Sequence, residues 1–365
     1  MTISHSVGPS PQLKTSPREP FGQRGFSLIE FMIAATISLG VVLAASMVYL
    51  NSRQTQVSLS EKSSMFEGAR VVMDIIGRDL ENAGFYPAEE SPGSGVKVSV
   101  LGYQNPCTNP NSGGSSLCAF ANPVAFNTGV FGCAGQRLTR SGTTNTTAYA
   151  CTALPTGVSA DDGDSLAVNY FTIDASGLNL GQRADCENQD VSGDAININR
   201  RGAAIDAATA ANKPLTTPTL PLFVSNRYTL TPVNAAAITA GRQMQIERQL
   251  ITTFNMACDG NGNDNDASAA LASTASPMVT GIEQLKFKYM VRTAGGQSQY
   301  LVASAVTNWT AVVAVRVCVL AHSLQNTQAG TYTIADCNAA NRTFTDGRSR
   351  KLFTQVFVLK NASLD

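Results

Sequence analysis

The sequence predicts an α+β protein in which one long N-terminal helix is followed by a β-rich globular domain. Three observations carry this. Phe26 to Leu50 is an apolar run with a single charged side chain, Glu30. Phe66, Ala69, Met73, Ile76 and Leu80 then recur at spacings of three and four, the period of a helix. Past Gly84 the texture changes to short β-branched and aromatic runs separated by Gly, Asn, Asp, Ser and Pro, as in strands and loops.

Residues 1–25 are polar, carry four prolines and contain no apolar stretch. They are therefore neither a helix nor the hydrophobic region of an ordinary secretory signal. The 25 residues that follow, 26–50, are long enough to cross the hydrocarbon core of a bilayer as a helix. Lys14, Arg18 and Arg24 precede that run and only Glu19 opposes them, so the positive-inside rule leaves the N-terminus in the cytoplasm. Glu30 is the oddity, because a carboxylate in a membrane segment costs about 2.5–3.5 kcal/mol at the bilayer centre and less near the end.

The helix is expected to continue as an amphipathic segment over 51–82, with Arg70, Asp74 and Arg78 on a face adjoining the apolar one. Gly84 and Pro87, after Asn82 and Ala83, mark its end. From Phe26 to Asn82 it would be roughly 85 Å long, and its second half is expected to pack on the chain's own domain. The domains are thus 1–25, 26–84 (26–50 transmembrane) and 85–365.

In the globular part, strands are predicted at 165–173, 243–254, 281–289, 311–320 and 352–359. The fourth alternates Val313, Val315, Val317 and Val319 with Val312, Ala314, Arg316 and Cys318, as for one buried face. Stretches 102–116, 133–164 and 202–221 read as surface loops.

Eight cysteines, Cys107, Cys118, Cys133, Cys151, Cys186, Cys258, Cys318 and Cys337, all lie beyond the apolar run, and none forms Cys-x-x-Cys. That spacing disfavours zinc and thioredoxin-type sites, and an even set on the non-cytoplasmic side reads as disulfides. Eight cysteines allow about 105 full pairings. Neighbours in sequence are favoured, Cys107 with Cys118 and Cys133 with Cys151, each closing a loop worth roughly 3 kcal/mol.

The chain carries no net charge and becomes slightly acidic without residues 1–25, so no basic field favours nucleic acid. Arg348, Arg350 and Lys351 read as a solvated loop. Only His5 and His322 exist, so nucleophilic catalysis would rest on His322, which reads as a hydrogen-bonded or exposed residue after a strand. No phosphate-cradling, zinc-protease or nucleophile-elbow motif is present, and the reading is of a non-enzyme with no cofactor or small-molecule substrate. One loop, Cys258 to Asp266, places Asp259, Asn261, Asn263 and Asn265 at alternating positions, as Ca²⁺ requires, and resembles the start of an EF-hand. Asp264 and Ala270 depart from that motif, and a solvated turn is the favoured reading.

Arg24-Gly25-Phe26-Ser27-Leu28-Ile29-Glu30 resembles the cleavage motif of type IV prepilins and type II secretion pseudopilins. The resemblance implies that prepilin peptidase cuts after Gly25 and methylates the new amine of Phe26. It also implies that Glu30 meets a neighbouring subunit's amine during assembly, each neutralising a charge costly in lipid. With Gly77-Arg78-Asp79-Leu80-Glu81-Asn82-Ala83-Gly84-Phe85-Tyr86, Gly281 to Tyr289, Trp309 and Ala314-Val315-Arg316-Val317, the chain is similar to the PilW family of minor pilins. That resemblance implies a prepilin leader, a pilin-like domain with disulfide-stapled loops, and a single-pass inner-membrane protein with a periplasmic C-terminal domain that moves to the fibre or tip. The partners it implies are other minor pilins, the major pilin, the peptidase, the assembly platform and a large tip adhesin, in a role that primes pilus assembly. The J-type minor pseudopilin of type II secretion shares this plan and is the alternative, as is a tip adhesin that binds through its loops.

Overall fold

The computed structural model describes residues 27–85, 129–141, 148–154, 158–171, 185–191, 222–233, 254–261, 275–292, 295–327 and 330–361. The expected loops 102–116 and 202–221, and all but the last residue of the strand expected at 243–254, lie outside these. The chain divides into two units, Met1–Gln56 and Val57–Asp365. Helix α1, Leu28–Asn82, belongs to the first up to Gln56 and to the second from Val57.

In the second unit, α1 buries Met65, Ala69, Val72, Met73, Ile76 and Leu80. The buried stripe is turned slightly from the expected one: Phe66 stays 47% exposed and meets Phe353 edge-on at 5.3 Å. The helix stops at Gly84, whose φ of +72° is the left-handed geometry that glycine adopts without strain. Gly84 N donates to Asn169 O at 2.8 Å, and the Asn361 side chain donates to the carbonyls of Glu81 and Ala83 at 3.4 and 3.3 Å. Strand and C-terminal residues therefore bind the helix end.

In chain order the strands are β1 (Val130–Cys133), β2 (Arg137–Ser141), β3 (Ala148–Thr152), β4 (Ser165–Phe171), β5 (Phe223–Pro232) and β6 (Phe254–Asp259), then β7 (Ser276–Arg292), β8 (Ser298–Leu301), β9 (Val312–Asn326), β10 (Tyr332–Ala335), β11 (Asn341–Phe344) and β12 (Arg348–Val358). An eight-stranded sheet runs β1-β4-β5-β6-β7-β9-β12, with β8 also on β7. Its named strands all pair antiparallel. One face supplies Tyr228, Met256, Leu285, Phe287, Val317 and Val319 to a single core with the α1 stripe. Fully burying such side chains is worth about 1.5–3 kcal/mol each.

The stretch 133–164 is not a plain surface loop. It forms the hairpin β2–β3, because Leu138 and Tyr149 have apolar partners to bury against, Phe171 and Phe223 among them. The Tyr149 hydroxyl reaches Asn169 Oδ1 at 2.6 Å and Ser225 Oγ at 2.7 Å. A second hairpin, β10–β11, was not legible in the sequence.

The turn of α1 leaves no space beside it. A Cβ built on Gly129 would lie 2.6 Å from Gly84 N and 2.9 Å from Ala83 C, both backbone atoms. Gly129→Ala is expected to destabilise the domain by about 1–3 kcal/mol. The control, Gly295→Ala, meets nothing within 4 Å and should leave the urea midpoint unchanged. Equal midpoints for the two variants would show that the turn yields.

Candidate functional site

Gly25 and Phe26 lie outside the described residues, and the first described turn begins with Ser27, whose carbonyl accepts Phe31 N at 3.1 Å. Every described residue from Ser27 to Gln56 is exposed within the chain. These include Leu28 (80%), Phe31 (70%) and Val48 (69%). The helix is long and apolar enough to cross a membrane, and none of that stretch is buried. An apolar surface this continuous calls for lipid or other helices around it. The hydroxyls suit that setting: Thr36, Ser38 and Ser46 bond back to the carbonyls of Ile33, Ala34 and Val42 at 2.7–2.9 Å. Glu30 has no hydrogen bond or ion pair among the described residues.

At the other end of α1, Asp79 is a residue whose role the sequence alone did not show. Its Oδ2 accepts from the Tyr228 hydroxyl and from Asn226 Nδ2, each at 2.6 Å. Both partners lie on β5, so one carboxylate ties the helix to the middle of the sheet. Burial raises its pKa above the usual carboxylate range, against the pull of these hydrogen bonds. About five turns earlier on α1, Glu61 accepts the backbone N–H groups of Leu324 and Gln325 at 2.9 and 3.1 Å, tying the helix to the end of β9.

His322 lies within β9 rather than after it, because the strand runs on to Asn326. It is 2% exposed, and its Nδ1 lies 2.8 Å from Ser323 O. Burial lowers its pKa to about 4. The small cavity beside it, walled by Glu61, Ser64, Met65 and Gly281, holds about 20 Å³, room for a water and not for a substrate.

The basic cluster is likewise not a solvated loop. Arg348 and Arg350 are buried on β12, and only Lys351 is exposed. Arg350 grips Asp346 through two bonds of 2.8 and 2.6 Å, pairs with Glu283, donates to Tyr332 Oη at 3.1 Å and lies 3.7 Å over the Phe344 ring. The Arg350 bonds hold the Asp346 carboxyl down to about 2, whereas burial pushes Glu283 up. Arg350 fastens the β10–β11 hairpin to the sheet, with no face left for a phosphate.

Asp259 and Asn261 are buried and do not sit in a solvated turn. Asp259 is buried with Arg227, whose Nη2 lies 3.1 Å away. Asn261 Oδ1 accepts Ser225 N and its Nδ2 donates to Phe223 O, both at 3.0 Å. A cation here would have to displace Arg227 and break β5's own contacts. Asn263 and Asn265 lie outside the described residues, and no cluster of three or more metal-binding side chains occurs among those described.

Cys133 is bonded to Cys151, Cys186 to Cys258 and Cys318 to Cys337, with Cα separations of 5.6, 6.3 and 5.7 Å. Cys107 and Cys118 lie outside the described residues.

Residues 240–361, which include β6 to β12, match the PilW family, described as type IV pilus-assembly protein W. This is the family that the helix-end motif, Gly281 to Tyr289, Trp309 and Ala314-Val315-Arg316-Val317 resemble. No curated protein matches the chain. Among solved structures, a type IV-like pilin from Thermus thermophilus is similar, at 10% identity over 81% of this chain and 97% of that one, with a TM-score of 0.33.

The depressed pKa of His322 makes a signed prediction. The unfolded imidazole takes its proton near pH 6.5 and the folded one only near 4, so stability falls as pH drops between those values, by on the order of 3 kcal/mol. Asp79 acts oppositely, since a raised carboxyl pKa favours the fold at low pH and loses that contribution as pH rises through the raised value. Urea unfolding of His322→Leu should lack the acid loss. Asp79→Asn should match or exceed the parent at pH 7 and lose that advantage near pH 4. Identical pH profiles for parent and variants would remove both assignments.

Proposed function

We propose that this chain, of the PilW type over its C-terminal third, is a type IV pilus minor pilin that joins other minor pilins to prime fibre assembly. The observation that carries this is the single helix α1. Its first part is an apolar cylinder bearing one carboxylate, Glu30, with no partner among the described residues, and its second part is built into the domain. The helix anchors the precursor in the inner membrane with the N-terminus in the cytoplasm and the β-domain outside, then packs among the helices of the fibre. Prepilin peptidase cuts between Gly25 and Phe26, and the amine so made on one subunit neutralises Glu30 on the next. Its partners are the other pilus subunits and the inner-membrane platform. The role is structural: His322, on which nucleophilic catalysis would rest, is walled in beside a cavity of water size.

Intact mass and N-terminal sequencing of membrane-extracted protein test the reading. With the peptidase, the chain should begin at methylated Phe26; without it, or in Gly25→Ala, it should remain uncut. Glu30→Ala should insert and be processed yet give few pili. An uncut chain in the presence of active peptidase, or normal piliation with Glu30→Ala, would overturn the proposal.

A further inference from the structure

The face of the sheet turned away from α1 carries an open groove of about 260 Å³. Its floor is two cross-strand rows. In one, Thr354 of β12, Cys318 of β9 and Lys286 of β7 lie side by side; in the next, Arg316 and Lys288, whose cross-strand row continues to Val356 of β12. The Cys318–Cys337 disulfide, Val302 and Leu352 form its apolar walls.

The charges in this groove are unbalanced. Its two carboxylates are saturated from within: Asp164 accepts Lys286 Nζ, Gly135 N and Phe287 N at 2.8–3.0 Å. Asp336 accepts Asn338 N, Ala340 N and Gln284 Nε2 at 2.8–3.2 Å. Lys288 and Arg316 stand directly opposite one another on adjacent strands, an arrangement that like charges disfavour. Both are half-buried, and neither has a carboxylate partner among the described residues. Arg316 only lies over the Tyr300 ring at 3.8 Å, a contact with a ring face that supplies no carboxylate.

We propose that Lys288 and Arg316 form a carboxylate-binding site for an acidic, extended segment of another polypeptide. A guanidinium fork beside an ammonium is a donor set for one carboxylate, and an anion there removes the repulsion between them. Two features favour a polypeptide over a free small acid. The groove is smaller than the roughly 300–1,000 Å³ of ordinary ligand pockets, a size for a side chain. It also runs out at β12, the edge strand of the sheet among the described residues. There Val356 is 43% exposed and the strand's outer edge can pair with an incoming strand. On the reading above, that polypeptide is another subunit of the fibre; the site's test does not depend on it, since processing at Gly25 and piliation are read separately.

The test is fluorescence anisotropy of the full chain in nonionic detergent with two labelled peptides, acetyl-Thr-Val-Glu-Val-Glu-Val-amide and its counterpart with glutamine for glutamate. The glutamate peptide should bind at least tenfold tighter, weaken as salt rises, and lose that tenfold in Lys288→Gln with Arg316→Gln. Lys288→Gln alone should leave the urea midpoint unchanged or raised, because it removes a repulsion. Equal binding of the two peptides, or binding untouched by the double change, would overturn the site. A fall in the midpoint would mark the cations as structural and overturn it too. Displacement of the peptide by sodium glucuronate at equal carboxylate concentration would overturn the polypeptide occupant in favour of a small acid.

Discussion

The seam between residues 61–84 of α1 and one face of the sheet is the constraint on which the rest of the domain depends. Its apolar part alone would leave the helix free to slide by a turn, since Ala, Val, Met and Ile surfaces tolerate many registers. Polar contacts remove that freedom at both ends. Glu61 holds the end of β9, and Asp79 holds Asn226 and Tyr228 of β5. Gly77 lets the Phe357 ring sit directly on the helix backbone, and Gly84 turns the chain away under Asn169. A buried acid such as Asp79 weakens the fold at neutral pH relative to an apolar isostere, so its return is a defined register.

The opposite face is organised by charge. Arg350 gathers Glu283, Asp346 and Tyr332; Lys286 closes on Asp164, and Arg342 on Asp162 at 2.6 Å. These pairs attach loops and the β10–β11 hairpin to strands whose other face is the apolar core. Within this set of matched charges, Lys288 and Arg316 stand out by contrast.

The helix, its stop, and the strands β4, β7, β9 and β12 were legible because each depends on local periodicity or on the special backbone of glycine. The β2–β3 hairpin was not, since Leu138 and Tyr149 are isolated apolar residues whose partners lie on other strands. Phe66 was placed in the core because a helical period fixes the spacing of a stripe but not its exact azimuth. The Asp259 loop and the Arg348–Lys351 cluster were misread for one reason: sequence shows a charge, while its burial depends on a partner far along the chain. Arg227 is 32 residues from Asp259, and Glu283 is 67 from Arg350.

The three disulfides share a property of order. Each joins a cysteine to the next one along the chain, 133 to 151, 186 to 258 and 318 to 337. A polypeptide threaded through a membrane with its N-terminus first anchored presents its thiols one after another to the oxidant beyond. Among the described cysteines each thiol has its partner in the next along the chain, so oxidation in order of emergence would form these bonds without an exchange step.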